Sequence, residues 1–199
     1  MKYKSNNIRQ LQGIILGKPG SGKTVTARWI ANQVQFRYGA NASNSVYADD
    51  GDLDLLFWGL EDTMANFMFL DDLTLRKIND EALAKYFKIR HVINDMHGRD
   101  HGIIISLLGL HRFYNTPPPI RTNFDFIMFR SAPTNPYDRT FTKTYIGDNG
   151  VKYLEKLEIE RIKKPELFKR TIIWLKGSGA GFIDTPQPNE TCLQKITWS

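Results

Sequence analysis

One eight-residue run, Gly17-Lys18-Pro19-Gly20-Ser21-Gly22-Lys23-Thr24, constrains this chain more than any other. It stands directly after the apolar run Gly13 to Leu16 and directly before residues 23–38, where Val25, Trp29, Ile30 and Val34 recur at helical spacing. The order is therefore strand, glycine-rich turn, helix, and the run matches G-x-x-x-x-G-K-[ST] in full. Glycines let the backbone curl until its N–H groups converge, and the helix N-terminus adds partial positive charge. Such a concavity takes phosphate oxygens. Lys23 is then placed for the β- and γ-phosphates of a nucleotide, and the Thr24 hydroxyl for Mg²⁺.

Hydrolysis needs a second oxygen ligand for the metal. Phe67-Met68-Phe69-Leu70-Asp71-Asp72 offers four apolar residues and then two acids. A buried strand of this kind presents its last side chains at the carboxyl edge of an open sheet, where ligands bind. Asp71 is expected to hold Mg²⁺, directly or through water, and Asp72 to orient or deprotonate the attacking water.

The remaining pattern alternates short apolar runs with amphipathic segments, which predicts an α/β fold: a mostly parallel central sheet with helices on both faces. Strands are expected at residues 13–16, 45–47, 67–70, 103–108, 124–129, 171–175 and 181–183. Helices are expected at 23–38, 53–63, 80–96 and 151–159, with Gly98 stopping the third. The 199 residues suit one P-loop ATPase domain spanning 1–199. The single Cys192 excludes an intrachain disulfide framework and a multi-cysteine zinc site. No apolar run approaches the roughly 20 residues of a membrane span, and the N-terminus lacks a secretory core, so a cytoplasmic protein is expected.

Among P-loop classes, the GTPase branch is disfavoured because the chain contains no N-K-x-D motif. A kinase lid between Arg121 and Arg139 is poorly served by Pro117-Pro118-Pro119 and the apolar run that follows. Residues 98–112, Gly-Arg-Asp-His-Gly-Ile-Ile-Ile-Ser-Leu-Leu-Gly-Leu-His-Arg, carry a sharper likeness. They resemble the FtsK–HerA superfamily of P-loop ATPases, in which Arg and Gly precede this strand and a polar sensor followed by Arg ends it. The likeness continues through Pro119-Ile120-Arg121-Thr122-Asn123 into the apolar strand at 124–129, and it spans about residues 13–130. His111 stands where the family usually has Gln, and Asp72 where Glu is commoner.

This resemblance implies an ATP hydrolase using ATP and Mg²⁺, with His111 sensing the γ-phosphate. It implies a homo-oligomeric ring in which Arg99, Arg112 or Arg121 reaches the nucleotide of a neighbouring subunit. The short motor looks most like genome-packaging ATPases of icosahedral viruses with internal membranes, including archaeal ones. The implied partners are double-stranded DNA and a capsid or membrane protein at the packaging vertex. In a virus the location would be the host cytoplasm, with virion association. Two rivals predict other behaviour: a small-molecule or nucleotide kinase transfers phosphate to an acceptor without DNA, and an ATP-switched DNA-loading or assembly protein turns over little.

Charge bears on the DNA expectation. Residues 1–100 carry 13 basic and 12 acidic side chains, whereas residues 101–199 carry 14 and 9. The excess concentrates at Arg161, Lys163, Lys164, Lys169, Arg170 and Lys176. Such a cluster either follows a phosphate backbone or is a solvated helix and loop. His91, His97 and His101, with Asp95 and Asp100, match no zinc spacing and read as a solvated face. Trp58, Trp174 and Trp198 read as packing residues, and the three prolines as a rigid turn.

Overall fold

The computed structural model describes residues 7–48, 53–71, 80–113 and 123–184. Seven strands form one sheet: β1 (Asn7–Leu16), β2 (Ser43–Ala48), β3 (Ala65–Leu70), β4 (His101–Leu110), β5 (Phe126–Phe129), β6 (Arg170–Leu175) and β7 (Gly179–Asp184). Their order is β2-β3-β4-β1-β5-β6-β7. The first five are parallel, and β6 and β7 join antiparallel. The helices are α1 (Lys23–Tyr38), α2 (Leu53–Trp58), α3 (Asp80–Phe87), α4 (Ile89–His97) and α5 (Pro136–Lys163).

The alternation of side chains along the central strands divides the core into two layers. Ile15 on β1, Phe67 and Phe69 on β3, Leu107 on β4 and Met128 on β5 face α1, which meets them with Ala27 and Ala31. Ile14, Leu16, Met68, Leu70, Leu108, Leu110, Ile127 and Phe129 face the opposite way, against Leu56 of α2, Ile89 and Ile93 of α4 and Leu154 of α5. Strands buried on both faces read as continuous apolar runs, which is why β3, β4 and β5 were plain in the sequence. The expected α/β sheet with helices on both faces is what the chain forms.

Several boundaries differ from the sequence expectation, each for a local reason. β1 begins at Asn7 instead of 13 because it pairs with β4 over its whole length, from Asn7 opposite His101 to Leu16 opposite Leu110. Backbone pairing carries it through Arg9, Gln10 and Gln12, which break the apolar pattern. The helix expected at 53–63 ends at Trp58. Beyond Gly59 the chain is held by Asn66, whose side chain bonds both the N–H and the C=O of Glu61. The helix expected at 80–96 is two, α3 and α4, broken at Lys88, whose N–H bonds the carbonyls of both Ala84 and Lys85. Gly98 caps the second half in a left-handed conformation, as its position suggested. α5 is far longer than residues 151–159. Asn135 caps it by accepting from the Asp138 N–H, Pro136 opens it, and Gly147 kinks it at φ 70°. No helix of the described residues is long and apolar enough to cross a membrane.

The parallel arrangement delivers the ends of β1, β3, β4 and β5 to one edge of the sheet. The glycine-rich loop, Asp71, His111 and Arg130 follow those four ends.

Candidate nucleotide site

The Gly17–Thr24 segment leaves β1 as a tight loop. Gly17 N–H still bonds the Leu110 carbonyl, extending the ladder by one step, and Ser21 N–H folds back to the Lys18 carbonyl at 3.1 Å. Gly22 then takes φ 88° immediately before α1. Its left-handed backbone would cost about 1–2 kcal/mol with a side chain. The first-turn N–H groups of α1 have no preceding helical carbonyls and face the loop. Ser21 Oγ is buried against Gly17 and lacks a hydrogen-bond partner among the described residues. Converging amides, an unused hydroxyl and a buried lysine at one point form a donor set that suits phosphate oxygens.

Lys23 is 6% exposed, and its Nζ lies 3.1 Å from His111 Nδ1. The same Nδ1 is 3.1 Å from the Gly17 carbonyl. Lys23 can only donate, so an unprotonated Nδ1 accepts from it, whereas a protonated Nδ1 donates to Gly17. The end of β4 is therefore in contact with both ends of the loop. On the other side of Lys23, Thr24 Oγ1 donates to Asp71 Oδ2 at 2.6 Å. Asp71 is anchored by its own N–H to the Ala48 carbonyl of β2. It can lean across β4 because Gly109 lies beneath it: a Cβ there would meet Asp71 Oδ1 at 2.7 Å. A hydroxyl and a carboxylate sharing one point beside a phosphate cradle are hard oxygen donors, the set Mg²⁺ takes alongside substrate phosphates.

Below the loop lies a layer that the sequence reading missed. Arg130, directly after β5, is 2% exposed. Its Nε donates to the Ser21 carbonyl at 3.0 Å, and its Nη1 donates to Thr171 Oγ1 at 2.6 Å. Burial, and then the neighbouring Arg161 charge, pull its pKa down to about 10, so it stays charged at neutral pH. Arg161, 5% exposed, donates to the carbonyls of Arg130, Leu167 and Arg170. Lys18 is tied on the outside, by its N–H to Ser131 Oγ at 2.9 Å and by its ammonium to Glu158. A charged residue ending the apolar run Phe124 to Phe129 at the ligand edge was the available signal for Arg130.

The other expected residues are scattered. Asp72 and Arg121 fall outside the described residues. Arg112 follows His111 and is exposed at the same edge. Arg99 precedes β4 at the opposite edge, about 30 Å along a ten-residue strand from His111. There Nε donates to Asp62 Oδ1 at 2.5 Å. The six-residue basic cluster does not survive as one surface. Arg161 is buried beneath the loop, and Arg170 is held by Asp184 at 2.9 Å through two nitrogens. Lys176, whose N–H bonds the Asp125 carbonyl, lies at the far end of β6. Lys163, Lys164 and Lys169 remain exposed near the loop edge. A run of basic residues cannot show which cations are spent on internal carbonyls.

No protein-family model matches the chain, and a search of curated sequences finds no match. Solved structures do match. The genome packaging NTPase B204 from Sulfolobus turreted icosahedral virus 2, in complex with sulfate, superposes with a TM-score of 0.59 at 12% identity, over 94% of this chain and 100% of that one. Its complex with ATPγS also gives 0.59 at 12% identity, over 90% and 98%. The chain shares the fold of this viral packaging NTPase. The pCW3 conjugation coupling protein TcpA, with ATPγS, matches at TM-score 0.51 and 14% identity, over 96% of this chain and 65% of that one.

Proposed function

We propose that this chain is a Mg²⁺-dependent ATP hydrolase that moves double-stranded DNA, working as a homo-oligomeric ring that packages a viral genome. The observation that carries the reading is the meeting of Lys23, His111, Thr24 and Asp71 at the mouth of one phosphate cradle. The fold it shares with a genome packaging NTPase of full matching length supports the choice of partner.

In this reading the loop N–H groups and Lys23 bind the β- and γ-phosphates. Thr24 and Asp71 would hold Mg²⁺, which when bound neutralises charge developing on the phosphate oxygens. Asp72 orients the attacking water and accepts its proton. Lys23 leaves His111 when it turns to the phosphates, and the imidazole then keeps the Gly17 carbonyl or turns to the γ-phosphate. The end of β4 thereby registers whether the γ-phosphate is present, and the Arg112 beside it extends that change to the subunit boundary as the arginine supplied in trans. Lys163, Lys164 and Lys169 supply exposed positive charge for DNA, and a capsid or membrane protein at the vertex would receive the ring.

The test is ATP turnover with and without double-stranded DNA, for wild type and Asp72→Asn. Turnover that rises with DNA and falls by orders of magnitude in the variant is expected. No hydrolysis under any condition sinks the motor, and turnover indifferent to Asp72 sinks its assigned role.

A further inference from the structure

The buried guanidinium beneath the loop has a geometric consequence for phosphate binding. A trans peptide is planar, with its C=O and N–H pointing in opposite directions. Arg130 Nε pins the Ser21 carbonyl at 3.0 Å, so the N–H of the same peptide unit, that of Gly22, is turned to the side away from Arg130. The bond is charge-assisted, and a carbonyl polarised by a cation makes its own N–H a stronger donor. Loop and arginine are fitted closely. A Cβ on Gly22 would stand 2.8 Å from Arg130 Nη2, and one on Gly17 would stand 3.0 Å from Arg130 Cβ.

The guanidinium is itself held from behind. Nη1 bonds Thr171 Oγ1 and, at 3.4 Å, the Arg170 carbonyl, both on β6. Arg161 bonds the Arg130 and Arg170 carbonyls from α5. The β5 end is further fixed by Arg130 N–H on the Leu16 carbonyl at 2.8 Å. The loop carbonyl is thus the front end of a chain of contacts rooted in the two elements that follow the parallel sheet.

We propose that Arg130 is a positioning residue for the nucleotide phosphates: it orients the Ser21–Gly22 peptide as a phosphate donor and supplies fixed positive charge behind it. It does not touch the nucleotide. The inference rests on the nucleotide-binding part of the reading above, and on neither DNA nor hydrolysis.

The experiment measures ADP and ATPγS dissociation constants by calorimetry for wild type, Arg130→Lys and Arg130→Met, with thermal midpoints for each. Val151→Ala, a buried truncation on α5 away from the loop, gives the effect of general destabilisation. The expected result is roughly 10- to 100-fold weaker binding in Arg130→Met, as for loss of a hydrogen bond to a charged group. Arg130→Lys keeps the charge without the fork and is expected between that and wild type. Both weaken ADP and ATPγS alike, because the peptide serves phosphates common to the two. Binding within about twofold of wild type in folded Arg130→Met, or weakening no greater than in Val151→Ala, overturns the proposal. A second measurement needs no variant. The Nε–H resonance of Arg130 in wild-type protein shifts on ADP addition if the Ser21 peptide accepts load, and an unmoved resonance overturns it. Wild type that binds no nucleotide removes this inference and the proposed function together, whereas wild-type binding with indifferent variants removes only this inference.

Discussion

Replacing Gly22 with alanine tests the fit between the loop and the layer beneath it, and Gly20→Ala supplies the comparison. Both glycines adopt positive φ, 73° at Gly20 and 88° at Gly22. Each substitution therefore carries the left-handed backbone penalty of about 1–2 kcal/mol. Only Gly22 adds a collision: its new methyl would come within 2.8 Å of Arg130 Nη2, whereas nothing lies within 4 Å of a Cβ on Gly20. The guanidinium is the far end of a flexible side chain and gives way, but moving it lengthens its bonds to Ser21 and Thr171. That adds about 1–2 kcal/mol. Gly22→Ala is thus expected to lose about 2–4 kcal/mol and Gly20→Ala about 1–2. At about 2–4 °C per kcal/mol for a chain of this size, thermal midpoints fall by about 4–16 °C and 2–8 °C respectively. Circular dichroism melts of the three proteins at one concentration, without nucleotide, read this directly. Equal midpoints for the two variants would refute the claim that Gly22 is required by contact with Arg130 as well as by its backbone angle.

Three further outcomes follow from particular contacts. Arg161→Met removes the side-chain bonds to the carbonyls of Arg130, Leu167 and Arg170 and is expected to lose about 3 kcal/mol, read as a denaturant midpoint shift at constant slope; a change under about 1 kcal/mol would contradict the role given to Arg161. Lys163→Glu with Lys164→Glu is expected to weaken double-stranded DNA binding and to reduce the slope of log affinity against log salt by about two, with a wild-type slope refuting contact at those residues. Arg170 holds the Asp184 carboxyl below the usual carboxylate range. The pair's stabilisation is therefore fully present above the unfolded carboxylate pKa of about 4 and is lost as pH falls through the lower folded value. Melts of wild type and Asp184→Asn are expected to differ at neutral pH and to converge as pH falls through the lowered carboxyl's titration, and a constant gap would contradict the linkage.

The motifs were legible because they combine local pattern with obligatory context. Gly17 to Thr24 needs a strand before it and a helix after it, and both are visible as runs of one composition. Asp71 was legible because β3 is buried on both faces, so its six residues are nearly all apolar and the acids after them stand out. What the sequence hid was long-range and backbone-directed. The seven residues of the Lys23, His111, Thr24, Asp71, Arg130, Thr171 and Arg161 network come from six elements or their ends, and backbone carbonyls are the partners in six of the nine side-chain bonds described above. A carbonyl has no letter in a sequence. The same blindness split α5 from its cap at Asn135 and joined α3 to α4 across Lys88, where two carbonyls share one N–H.

The basic excess shows how this blindness affects function. Read as letters, residues 161–176 hold six cations and invite one continuous DNA surface. In the fold, Arg161 turns inward to three carbonyls, Arg170 is taken by Asp184, and Lys176 lies at the opposite edge of the sheet. Two of the arginines in this half are buried, Arg130 against the glycine-rich loop and Arg161 behind Arg130, and their charge acts through the protein interior, where it is screened far less than at the surface. Part of what looked like affinity for a polyanion is therefore turned inward, toward the glycine-rich loop and the β5–β6 edge. The remainder, Lys163, Lys164 and Lys169, lies at the end of α5 and the start of β6, next to the carbonyl that both arginines grip. A strand of DNA drawn to those lysines would press on the same segment that holds Arg130 under Ser21. Under the proposed function, DNA binding would then be mechanically linked to the set of the phosphate loop through Arg170, Arg161 and Arg130. If so, DNA should shift the Arg130 Nε–H resonance even without nucleotide, and a resonance that ignores DNA while Lys163 and Lys164 bind it would break that link.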